Sequence, residues 1–251
     1  SVRHGGSIPA IWARAQGRDT RVIGLSWADE AQLILTRPDS GIHTVKDLKG
    51  RRFGLPDWAA AQIDFTRAQA LRGLENALKL AGLQVGDVDL VNYRYDGTFS
   101  DRPVRNVAGT PVSSTQSEGR NLELAGLLRG EVDAIFLKGA SAVQLAHAFA
   151  LHTVIDTGSH PDPLIRSNNG TPRTLAVDSH LLAQHPQVVR TLLGSVLRAE
   201  RWAHQHPDET RRYLARETNS SEYWVQVAYG TDAHLRLSTR LDEQAIDALQ
   251  D

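Results

Sequence analysis

Short strand-like apolar runs alternate with helix-period segments through residues 20–178, and this alternation constrains the chain more than any other feature. Thr20–Trp27 reads as a buried strand, Leu33–Leu35 as a second, and Arg52–Leu55 as a short third ending at Pro56. Residues 62–81 place Ile63, Ala70, Leu74, Ala77, Leu78 and Ala81 at three- and four-residue steps, an amphipathic helix stopped by Gly82. Val88–Val91, Val132–Leu137, Thr153–Asp156 and Arg173–Val177 continue the strands, with helices at about 118–129 and 140–150. Strands alternating with helices specify an α/β protein with a largely parallel sheet. The character then changes. Residues 180–251 are periodic in Leu, Val and Ala, predict helices almost throughout, and close with a helix over 241–249. Between the two regimes of the first half, residues 93–116 are polar and aperiodic, the length of a functional loop or an insertion.

Several chemistries are excluded or weakened. The chain has 251 residues, enough for one large domain or two lobes. It has no cysteine, which removes disulfides, thiolate metal sites and a cysteine nucleophile from these residues. The absence of methionine reads as a processed form or a fragment. A net charge of -1 argues against nucleic acid as a partner. No apolar stretch reaches the roughly 20 residues of a membrane span. Neither a P-loop, a G-x-G-x-x-G turn nor a G-x-S-x-G elbow is present. His204 and His206 are two apart and point in different directions on a helix, and His180 and His185 lack a third ligand, so neither a metal nor a cofactor is expected.

The positive signals are polar segments that lead into helix starts. Arg3-His4-Gly5-Gly6-Ser7 precedes a helix running from Ser7 to Gly17, with Ser7 as its cap and Pro9 in its first turn. Adjacent glycines admit a ligand close to backbone N–H groups, and a helix start offers free donors. Arg3 adds a fork suited to sulfonate, sulfinate, carboxylate or phosphate oxygens. A simple turn with a capping serine and a surface arginine fits the same five residues. Trp27 ends one strand, and Asp57-Trp58 follow another. Ligands of open α/β sheets gather at such strand ends, so the two tryptophans are candidates for an apolar wall; both fit equally as core between lobes.

Ser40-Gly41-Ile42 and Thr44-Val45-Lys46-Asp47-Leu48-Lys49-Gly50-Arg51-Arg52-Phe53-Gly54-Leu55 resemble a segment of type II periplasmic-binding-protein folds. The resemblance is to the group that binds nitrate, taurine and aliphatic sulfonates for ABC importers. Leu128–Ala134 is similar to that group's G-x-V-D-A strand entry, and Arg201-Trp202-Ala203 with His206–Glu209 to its closing pattern. Arg3–Pro9 resembles the R-x-G-G-x-I-P segment of the aromatic sulfinate desulfinase branch, where the arginine and a glycine N–H hold sulfinate oxygens. The resemblance implies those roles for Arg3 and Gly6. It also implies two α/β lobes around an interlobe cleft, one from residues 1–36 plus 171–251 and the other from 37–170. The implied ligand is a small organic anion held by Arg3, Gly5, Gly6 and Ser7 and lined by Trp27, Asp57 and Trp58, with an ABC permease as partner. A desulfinase activity would need a cysteine upstream of Arg3.

Overall fold

The computed structural model describes residues 1–96, 106–107, 110–111, 121–241, 243 and 246. The first elements are strand β1 (Val2–Gly5), helix α1 (Ser7–Ala15), and strands β2 (Thr20–Trp27), β3 (Gln32–Thr36) and β4 (Arg52–Asp57). Helix α2 (Phe65–Leu80), β5 (Asp89–Arg94), the short pair β6 (Asn106–Val107) and β7 (Thr110–Pro111), and α3 (Leu122–Arg129) follow. Next come β8 (Ala134–Lys138), α4 (Gly139–Ala148), β9 (His152–Asp156), α5 (Pro163–Arg166) and β10 (Arg173–Asp178). The C-terminal part holds α6 (Ser179–Gln184), α7 (Pro186–Gln205), α8 (Pro207–Glu217), α9 (Glu222–Tyr229), α10 (Ala233–Arg236) and β11 (Ser238–Arg240). Most of the expected helix over 241–249 and most of the loop over 93–116 lie outside the described residues.

Two main sheets form. One has the order β1-β10-β2-β11, the other β5-β4-β8-β3-β9. The expectation of a largely parallel sheet is corrected. Every ladder of the four-stranded sheet is antiparallel, and in the other sheet only the β4–β5 and β4–β8 ladders are parallel. The reason is that β3 enters its sheet directly from β2 rather than through a crossover helix, and so runs against β8 and β9.

The five-stranded sheet is buried on both faces. Ile34, Phe53, Leu55 and Phe136 pack on one side with Leu74, Ala77 and Leu78 of α2. Leu33, Leu35 and Ile135 pack on the other with Leu124 and Leu127 of α3 and Ala140 and Ala142 of α4. The α2 periodicity is therefore a core stripe, and a Cβ on Gly73 would come within 2.1 Å of the Phe136 ring, so only glycine allows this helix–sheet approach.

Four further sequence readings change. The Arg3–Gly5 segment is an edge strand rather than a loop, because its amides pair with β10 in the register Arg3↔Ala176 and Gly5↔Thr174. Ser7 is the first helical residue, buried, with Gly6 at the cap position. In β2 only Gly24 and Leu25 are buried, since Arg21 and Val22 face solvent. The lobe boundary drawn after residue 36 moves before Gln32, because β3 belongs to the five-stranded sheet. Likewise α8 and α9 lend Ala215, Val225, Ala228 and Tyr229 to the core of that sheet, although the sequence grouped them with residues 1–36.

Candidate functional site

The strand registers bring the ends of the two sheets together. In the four-stranded sheet, Gly5 lies opposite Thr174, Arg173 opposite Ser26 and Ser238 opposite Trp27, so these residues share one edge. In the other sheet, Asp57 lies beside Arg94, Gln32 beside Lys138 and Leu33 beside Asp156. The chain crosses from Trp27 to Gln32 in four residues and returns from Asp156 to Arg173. These two crossings make the two edges face one another. Helix α1 starts at the first edge and also packs against α2 of the second lobe.

Arg3 and Gly5 lie on the same face of β1. A Cβ built on Gly5 would sit 3.6 Å from Arg3 Nη2, so the guanidinium runs along the strand toward the cleft edge. Arg3 is exposed and has no hydrogen-bond or ion-pair partner among the described residues. A Cβ on Gly6 would fall 1.9 Å from Asn169 Oδ1, so the backbone there touches the Asn169 amide directly. Asn169 Oδ1 accepts from Ile8 N at 3.4 Å, and Pro9 has no N–H to offer. The start of α1 thus presents the Ser7 N–H beside a neighbouring unpaired cation, an arrangement suited to an oxyanion.

The two tryptophans are less open than a ligand wall requires. Trp27 Nε1 donates to Asp29 Oδ1 at 2.7 Å, and the Arg166 guanidinium stands 5.7 Å from its ring centroid. Trp58 is buried and stacks on Tyr95 with centroids 4.4 Å apart. Asp57 is half-buried, with its carbonyl accepting from Tyr95 N. All seven sequence candidates therefore sit at or next to the facing edges, but only Arg3, Gly5 and Gly6 meet closely.

Sequence reasoning missed a polar cluster behind them. Glu30 is buried and pairs with Lys138 Nζ at 2.5 Å, while Tyr229 donates to its other oxygen at 3.1 Å. Burial opposes ionisation of Glu30, yet the Lys138 charge and hydrogen bond, with Arg173 and Tyr229, hold its carboxyl below the usual range. Burial, and then the Glu30 charge, push the Tyr229 phenol well up. His4 Nε2 lies 2.7 Å from Ser26 Oγ on the other face of the sheet. Loss of water around its ring, then the Arg173 charge, lower its pKa. The strand-end rule that selected Trp58 applies equally to Lys138-Gly139, and Asn168-Asn169-Gly170 is a turn composition; those were the available signals. Among the described residues no group of three or more His, Asp or Glu side chains could hold a metal ion, and no helix is long and apolar enough to cross a membrane.

Two α/β lobes joined by two crossings, with a polar cleft between facing sheet edges, define the periplasmic-binding-protein fold. Within that class the chain belongs to the NMT1/THI5-like family, whose pattern matches residues 6–210. It is 29% identical over 280 aligned positions to the 2'-hydroxybiphenyl-2-sulfinate desulfinase of Rhodococcus erythropolis, covering 99% of this chain and 72% of that protein. A crystal structure of a DSZB mutant in complex with biphenyl-2-sulfinic acid is similar, with a TM-score of 0.68, 27% identity and coverage of 99% and 76%. The periplasmic aliphatic sulphonate binding protein SsuA from Escherichia coli shares the fold, with a TM-score of 0.68, 17% identity and coverage of 99% and 67%.

Proposed function

We propose that this chain is a substrate-binding protein of the ABC-transporter type that recognises a small organic oxyanion, sulfonate- or sulfinate-like, in the interlobe cleft. The observation that carries the reading is the unpaired Arg3 guanidinium lying over Gly5 at the start of α1. Gly5, Gly6 and the Ser7 amide complete the anion seat, with the Ile8 amide held by Asn169. Trp27, Asp57 and Trp58 border it from the two edges, with the tryptophans stiffening the walls through Asp29 and Tyr95. An ABC permease is the proposed partner. The relatives that bind or act on a sulfonate or a sulfinate support this ligand class.

Arg3→Ala tests it. A charge-assisted hydrogen bond is worth about 1.5–3 kcal/mol, so affinity for biphenyl-2-sulfinate falls about ten- to a hundredfold in titration calorimetry. Unchanged affinity in the variant removes Arg3 from the site.

The second reading, C–S bond hydrolysis of an aryl sulfinate, is favoured by the sequence similarity to the desulfinase. It needs an activated nucleophile beside the sulfinate, and these residues include no cysteine. The expected outcome is that this polypeptide binds the sulfinate without releasing sulfite. Sulfite production above the uncatalysed rate overturns the transport reading in favour of the enzyme.

A further inference from the structure

The strongest unexplained feature lies behind the anion seat, and its role there rests on the binding function just proposed. Glu30 stands in the first crossing and is 2% exposed at its side chain, while Lys138, at the end of β8, is 13% exposed. The Lys138 ammonium has two partners in different parts of the chain. One is the Glu30 carboxylate at 2.5 Å, and the other is the Asn169 carbonyl in the second crossing at 3.0 Å.

Asn169 is held from the other side as well. Its N–H donates to Asn168 Oδ1 at 2.7 Å, and Asn168 Nδ2 donates to Gln32 Oε1 and to the Gln69 carbonyl. The Asn169 side chain then lies directly against Gly6 and accepts from Ile8 N. A continuous chain of polar contacts thus runs from Glu30 through Lys138 and Asn169 to the backbone on which the anion would rest. Burying two charges costs desolvation that an uncharged pair of similar volume avoids, so stability alone does not account for the pair. Its distinctive effect is geometric, because it fixes where the Asn169 backbone stands. We infer that Lys138, oriented by Glu30, is a positioning residue for the Arg3–Gly6 anion seat and acts through Asn169.

The test separates position from stability. The variant Glu30→Gln with Lys138→Met replaces the pair by uncharged groups of similar size and deletes the donor to the Asn169 carbonyl. It is compared with Lys138→Arg, which keeps both charge and donor. Binding of biphenyl-2-sulfinate and ethanesulfonate is read by calorimetry, unfolding by thermal melts, and the amides of Gly6, Ser7, Ile8 and Asn169 by two-dimensional NMR. The uncharged pair is expected to melt near the wild type yet bind both probes about tenfold or more weakly, as loosened supporting contacts do. Its Gly6, Ser7 and Ile8 amides shift together with Asn169, and Lys138→Arg retains most of the affinity. Unchanged affinity and unshifted Gly6–Ile8 amides in the folded uncharged pair overturn the inference. An equal loss of affinity in Lys138→Arg does so too. Should the uncharged pair not fold, Lys138→Arg still decides, because a shift at Asn169 that leaves Gly6–Ile8 unmoved breaks the proposed chain. If the wild type binds neither probe, the anion-site reading fails, whereas the amide shifts still report whether Lys138 positions Gly6.

Discussion

Gly5 and Gly6 are neighbours of the same type whose surroundings differ, and the difference is measurable. A Cβ on Gly5 would meet Arg3 Nη2 at 3.6 Å, an ordinary contact with the end of a flexible side chain. A Cβ on Gly6 would overlap Asn169 at 1.9 Å to Oδ1 and 2.6 Å to Cγ, and Asn169 is tied at both its N–H and its carbonyl. Gly5→Ala is therefore expected to leave stability within about 0.5 kcal/mol. Gly6→Ala should cost about 1–3 kcal/mol, the usual penalty of overpacking, and weaken sulfinate binding. Denaturant melts of the two variants check the contrast, and equal stabilities would contradict it. At this scale the closeness of the arginine to the glycine pair was legible, because it is local in the chain. The sequence left open whether Trp58 is covered, because Tyr95 stands 37 positions further along and comes near only through the parallel pairing of β4 with β5.

Elements whose pattern is periodic over several turns were legible. Helix α2 was expected over 62–81 and spans Phe65–Leu80, its Leu74, Ala77 and Leu78 fully buried as the spacing required. Strands that owe their existence to a partner were not. Ser238–Arg240 has no apolar alternation and becomes strand only by pairing with the end of β2, and Val2–Gly5 does the same against β10. The end of β9 carries a testable titration. Asp156 Oδ1 accepts from Gln32 N at 2.8 Å and Gly158 N at 2.9 Å, but burial outweighs these bonds and raises the carboxyl above its ordinary value. A carboxyl raised in the folded state binds more protons there than in the unfolded chain. Its contribution to stability is favourable in acid and is lost as pH rises from the ordinary carboxylate value through the raised one, leaving a cost at neutral pH. Asp156→Asn keeps an acceptor at the same atom and removes the charge. The variant is expected to be as stable as the wild type or more so at pH 7, with a smaller advantage in acid. Thermal melts across that range check this, and a neutral-pH loss that vanishes in acid gives the opposite sign.

For the whole molecule, alternation indicated an α/β protein and the family resemblance implied two lobes, while the means of joining them came from contacts between distant positions. The C-terminal helices show why a boundary could not be read from the chain. α8 and α9 carry ordinary amphipathic patterns, which tell that one face is buried but not against which lobe. The same limit applied to Asp29, which reads as one more polar residue after a strand. In the structure its carboxylate takes Trp27 Nε1 from β2, Arg166 Nε from the second crossing at 3.0 Å, and Arg236 Nη1 from α10 at 3.5 Å. One largely buried anion therefore ties both crossings and the C-terminal region to one point beside the cleft. Asp29→Asn keeps the size of the side chain but leaves Arg166, only 20% exposed, without its counter-charge. The expected cost is about 1–3 kcal/mol, less than the loss of a fully buried pair because both partners retain some solvent. The distribution of the effect matters more than its size. Amide hydrogen exchange should accelerate over residues 157–172 and around Trp27, while β4, which pairs with β5 and β8, keeps its protection. Uniform acceleration across both sheets would mean that Asp29 supports the global fold rather than the junction between its halves.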